Sequence, residues 1–195
     1  MEIKNQQDLI DTVEKVNDLL QAIQQYCGRK AVSEAKIRFP IGFLRKCDDI
    51  RKTYDFISES HLKSNIAYTV LLSDCIRWLL IRTNIQSTAK EMLIKLYIVL
   101  IGSIIEACLN NTLKRKCAGG YCEKTKFLHD QKIITKKLND DLDYIWDLRC
   151  NIHLVDIPTR EYENDYSINN LSRCLRALDE ITNILRDKPV IKKRS

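Results

Sequence analysis

Two ionisable side chains, Arg149 and His153, stand four residues apart on what reads as the apolar side of a helix. Take residues 138–153 as helical with Leu142 as origin. A turn of about 100° per residue then puts Leu138, Ile145, Trp146, Arg149 and His153 within about 60° of that direction. Asp140, Asp141, Asp143 and Asp147 point mostly elsewhere, as a solvated face should. A cation on a buried face is costly unless it is paired or used, and function is expected where local pattern and burial conflict. At this spacing a guanidinium and an imidazole can reach one spot above a single turn. An imidazole can take the proton of a ribose 2′-hydroxyl and later return it. A guanidinium can hold the scissile phosphate and offset charge growing on its oxygens. Those two roles suffice for RNA cleavage through a cyclic phosphate, with no cofactor and no metal ion implied.

The charge distribution bears on the same chemistry. The chain carries a net charge of +6. Residues 112–137 hold eight basic side chains, Lys114, Arg115, Lys116, Lys124, Lys126, Lys132, Lys136 and Lys137, against Glu123 and Asp130 alone, so the whole excess lies there. A positive segment directly ahead of the Arg149 helix is what a protein acting on a polyanion needs, and these residues are the candidate RNA-binding set. Tyr121 and Phe127, interleaved with the lysines, are candidates for stacking on exposed bases. The bland alternative is a lysine-rich solvated surface.

The elements that must position these residues are helical. Apolar residues recur at helical spacing nearly everywhere, no stretch alternates convincingly as a strand, and only five Gly and three Pro interrupt the chain. A first helix is expected over residues 5–26, ended by Gly28. A second segment opens at Pro40 and runs through Leu44, Ile50, Tyr54 and Ile57, and a third spans 62–83. The run from Ser87 to Glu91 reads as a helix N-terminus. The helix it opens, to about residue 116, is apolar on almost every side and so belongs in the middle of a bundle. Its polar exceptions, Gly102, Ser103, Glu106 and Asn110, form one stripe, where small Gly102 and Ser103 would admit a close neighbour. The loop at 118–121, a shorter helix, the helix of Arg149, a loop holding Pro158 and a last helix over 167–186 complete the chain. The expectation is an all-α fold, a single helical bundle over residues 1–187 with a long buried central helix, followed by a basic tail at 188–195.

The stretch from Tyr144 to Leu154, centred on Arg149-Cys150-Asn151-Ile152-His153, resembles the signature of the HEPN superfamily. These are small helical bundles, often dimeric, and many are ribonucleases of toxin–antitoxin, abortive-infection and CRISPR-associated systems. Residues 93–107 look like the family's long central helix, with Glu106 at the position of its acidic residue. The resemblance covers about residues 87–156 and implies a HEPN-like core over about 87–187. It further implies a homodimer whose Arg149 and His153 meet in one basic cleft, with Glu106 and Asn151 as supporting catalytic residues. Two features depart from the family pattern. Only three residues separate Arg149 from His153, where four to six are usual, and Cys150 follows the arginine where Asn or Asp is typical. Hence the rival reading, a catalytically inactive helical module that dimerises and binds a protein partner such as an antitoxin or a larger effector. A structural role for the pair is the remaining alternative, with Arg149 bridging to Glu106 and His153 capping its helix.

Other classes fit less well. The polar N-terminus shows no apolar signal region, and six of the eight cysteines are scattered through helical patterns, which suits reduced thiols and a cytoplasmic location. Lys95 and Glu106 interrupt the apolar run 93–109, short of the roughly 20 residues a span requires, so no membrane is expected. Cys117, Cys122 and His129 offer at most three ligands at unusual spacing for zinc.

Overall fold

Every element among the described residues, 2–150 and 166–187 of this computed structural model, is a helix. The chain divides into two units, residues 1–40 and 41–195. The first holds α1 (Gln6–Cys27). Its N-terminus is capped by Asn5, whose side chain accepts from the Asp8 amide at 2.9 Å, and its end by Gly28, at φ 57°, whose amide donates to Gln24 O at 2.9 Å. A positive φ costs glycine little, so the helix stops there.

The second unit holds α2 (Cys47–Thr53), α3 (Ser60–Arg82), α4 (Ser87–Leu113), α5 (Tyr121–Asp130), α6 (Lys136–Cys150) and α7 (Ile168–Asp187). α4 is central and packs against α3, α5, α6 and α7, while α2 lies on α3, and α6 also touches α5 and α7. Ile98, Ile101, Ile105 and Leu109 of α4 are fully enclosed, each contributing roughly 1.5–3 kcal/mol by leaving water. By length and composition α4 could cross a membrane, and half of its most apolar window is buried inside the bundle. Its buried Lys95 sets its ammonium 5.8 Å from the centre of the Tyr166 ring, a contact that eases the desolvation of a cation. Thr135 and Ser167 open α6 and α7 by accepting from the Leu138 and Asn170 amides, the N-cap chemistry that hydroxyl residues supply.

Three expectations are corrected. The segment opened by Pro40 is not one long helix: α2 begins only at Cys47. Gly42 takes φ 89°, and Asp74 of α3 holds both the backbone amide and the guanidinium of Arg45, fixing this stretch in a non-helical path. Second, α4 begins at Ser87 as expected, but no side chain caps it: Gln86 is the N-cap. Third, Asp141 is buried rather than solvated. It sits between α6 and α7, where Arg173 Nε donates to it at 2.5 Å and Lys137 Nζ at 2.7 Å.

Candidate functional site

Arg149 sits in the last turn of α6 and points toward α4. Close approach is possible there because α4 carries Gly102, which has only hydrogen where Arg149 Cβ and Cγ pass. Ser103, beside it, donates back to Val99 O at 2.9 Å and so hides its polarity within α4. One turn further along α4, Glu106 accepts from Arg149 Nη2 at 3.1 Å. Gly102 and Glu106 of the α4 stripe thus lie against the Arg149 helix.

The guanidinium is also held from below. Its carbon lies 4.6 Å from the centre of the Trp146 ring, one turn back on α6, and Trp146 stacks on Tyr121 at 4.3 Å with the planes 10° apart. Tyr121 in turn donates to Leu142 O at 3.1 Å, which ties the start of α5 to α6. Burial, with Asp143 second, pushes the Tyr121 hydroxyl far above its ordinary pKa, so it stays a neutral donor. Tyr121, Trp146 and Arg149 therefore form a three-layer stack with Glu106 at its edge. Sequence reasoning missed the stack as a unit. The spacing 146 to 149 puts an aromatic one turn before a cation, and that signal was available.

Tyr121 is consequently no platform for nucleobases: it is 4% exposed and both its ring and its hydroxyl are engaged. Phe127 is half-buried and packs on the core. Asn151 and His153, the other two members of the expected catalytic set, lie outside the described residues, as does the basic tail.

The basic segment does not present all its charge to solvent. Lys124 is buried, its ammonium donating to Gly119 O. Lys136 and Lys137 pair with Asp140 and Asp141 at 3.1 and 2.7 Å, and Lys114 approaches Glu59 at 3.7 Å. Lys116 is half-buried. Arg115, Lys126 and Lys132 are exposed, as are Lys114, Lys136 and Lys137 beside their carboxylate partners. A cleft of about 310 Å³ lies among Glu59, Asn110, Asn111, Lys114, Ala118 and Lys124. It continues the polar stripe of α4 beyond Glu106, since Asn110 is four residues on.

The Arg149–Glu106 pair is only partly shielded, with side chains 28% and 31% exposed, and such a pair is worth on the order of 1 kcal/mol at most. Arg149 Nε is buried with no acceptor among the described residues. The pair adds little to stability, yet with the Trp146 face it fixes a partly exposed guanidinium. Such a group can bind a phosphate oxygen at low reorganisation cost.

Among the described residues no three His, Cys, Asp or Glu side chains gather as a metal site, and none of the eight cysteines forms a disulfide. Compared with protein-family models, with curated proteins and with solved structures, the chain matches none of them.

Proposed function

We propose that this chain is a HEPN-like helical protein that binds RNA and cleaves it without a metal ion, in a defence or toxin–antitoxin type setting. Arg149 holds the scissile phosphate and His153 moves the proton of the attacking 2′-hydroxyl. Glu106 is a positioning residue that sets the guanidinium on the Trp146 face. The observation that supports this reading is Arg149 itself. It is a partly exposed cation fixed by an aromatic face and a carboxylate whose pairing adds little to stability. A cation set on the apolar side of a helix with little return in stability is expected where there is function. The resemblance of residues 144–154 supplies the reaction class and the homodimer.

A second reading is favoured by a separate observation. Lys114, Lys136 and Lys137 have carboxylate partners and Lys124 is buried, so the field around the segment is weaker than a count of its lysines suggests. That suits a catalytically inactive helical module whose partner is a protein, an antitoxin or effector, rather than RNA. End-labelled RNA incubated with the full chain in EDTA separates the two. Products ending in a 2′,3′-cyclic phosphate, reduced on the order of a hundredfold in both Arg149→Ala and His153→Ala, support the nuclease. Intact RNA with wild type and variants alike supports the module.

A further inference from the structure

Within the α2–α7 unit, four helices, α2, α3, α4 and α7, leave a cavity of about 200 Å³ between them. Packed interiors seldom keep such a space, and about 150 Å³ is enough to hold benzene. Ile50, Val70, Ile101, Ile104 and Leu178 give it an aliphatic wall. Its three α4 residues, Tyr97, Ile101 and Ile104, lie within roughly 60° of one another around the helix, while Gly102 and Glu106 point roughly 140–180° away. The cavity is therefore separate from the Arg149 site, and its role does not rest on the RNA reading.

The polar side of the cavity is short of acceptors. Tyr97 is 4% exposed, yet its hydroxyl has no hydrogen-bond partner among the described residues, a costly state for a buried polar group. Burial raises its pKa and keeps it a neutral donor, and Arg77 is the foremost charge acting on it, ahead of Asp74 and Arg45. Asp74 cannot serve either donor fully, because Arg45 Nε and Nη2 already occupy both its oxygens. Arg77 lines the cavity, is exposed, and has no carboxylate partner among the described residues. A guanidinium and a hydroxyl that both lack an acceptor suit a carboxylate. Elsewhere on the wall Tyr54 has Thr182 as its hydrogen-bond partner, and Asp179 adds a negative charge that disfavours a second acidic group. We infer that this cavity binds a small aliphatic monocarboxylate, its carboxylate on the Tyr97 hydroxyl and the Arg77 guanidinium and its body against Ile101, Ile104 and Leu178.

Titration of the full chain with isocaproate, followed by methyl NMR, tests it. The methyl signals of Val70, Ile101 and Ile104 should shift saturably, with a dissociation constant on the order of 1 mM for so small a ligand. Arg77→Gln alters an exposed position, and Tyr97→Phe removes a hydroxyl that no described residue uses, so both variants should melt as wild type does. Each should weaken binding roughly tenfold. Isohexanol, with the same body and no charge, and glutarate, with a second acid, should bind at least about tenfold more weakly than isocaproate. No saturable shift at these methyls overturns the inference. So does an alcohol that binds as well as the acid, or an isocaproate affinity that both variants leave unchanged.

Discussion

Gly102 of α4 and Arg149 of α6 are so close that a Cβ on the glycine would stand 3.1 Å from both Cβ and Cγ of the arginine, and 3.6 Å from Ile145 Cγ2. The helix spacing at this point therefore depends on the missing side chain, and so does the reach of Arg149 to Glu106. One hydrogen atom in the central helix sets the position of the guanidinium.

Substitution at Gly102 should separate packing from positioning. Alanine adds helix propensity of about 1 kcal/mol but must displace Arg149 by a few tenths of an ångström, so Gly102→Ala is expected within about 1 kcal/mol of wild type. Gly102→Val has no such room and should destabilise by about 1–3 kcal/mol. It should also break the Arg149–Glu106 contact. Urea denaturation measures the first effect and a crystal structure of the variant the second; a wild-type contact at 3.1 Å in Gly102→Val would refute this account.

The buried Asp141 gives the fold an acid-side weakness. Burial disfavours its charge, but the hydrogen bonds from Lys137 and Arg173 outweigh that and hold its carboxyl below the ordinary value of 3.8. A depressed carboxyl stabilises the folded state above its unfolded pKa and loses that contribution as pH falls through the folded value. Asp141→Asn should therefore be less stable than wild type by about 1–3 kcal/mol at pH 7, with the gap closing as the pH falls below 3.8. Denaturant melts of both proteins at pH 7 and at successive steps below pH 4 check this. A gap that stays constant with pH would mean the carboxylate charge is not what α6 and α7 share.

Cysteine labelling reads out the core. Burial pushes the Cys108 and Cys174 thiols up to about 12, so neither forms thiolate near neutral pH. Cys122 and Cys150 are exposed, and Cys122 is raised by partial burial and then by Asp143. Iodoacetamide at pH 8 followed by peptide mass spectrometry should modify Cys150 and Cys122 in the native protein. Cys108 and Cys174 should react only in denaturant. Native labelling of Cys108 would show that α4 is not enclosed as described.

Apart from α2, the helices were legible in the sequence because their boundaries are local. Asn5 and Gly28 bracket α1, the apolar run of α4 marks it as central, and the direction of Arg149 follows from a rotation of about 100° per residue. What the sequence did not show was set mostly by partners far along the chain. Asp141 repeats with the other aspartates of α6 and looks solvated until Arg173, 32 residues on, arrives from α7. Tyr121 follows two glycines and reads as loop, but its ring is fixed by Trp146 and its hydroxyl by Leu142. The lysine count overstated the basic field because Asp140 and Asp141, just beyond the segment, pair with Lys136 and Lys137 through one helical turn.

The tie between Arg45 and Asp74 holds the approach to α2 against α3 and should behave as a coupled pair. Asp74 is 5% exposed at its side chain while Arg45 is 57% exposed. The guanidinium donates through Nε at 3.0 Å and Nη2 at 2.7 Å, and the Arg45 amide adds a weaker bond at 3.3 Å. Removing the arginine strands a buried carboxylate, which costs about 2–3 kcal/mol. Removing both groups strands no charge and leaves only the Arg45 amide without its acceptor, beside the cavity of about 200 Å³ that Arg45 lines. Arg45→Ala should therefore be more destabilised than Arg45→Ala/Asp74→Ala, although the double variant loses more atoms. A thermodynamic cycle of the four proteins by urea denaturation tests this, and single-variant losses that simply add would mean that the two side chains act independently.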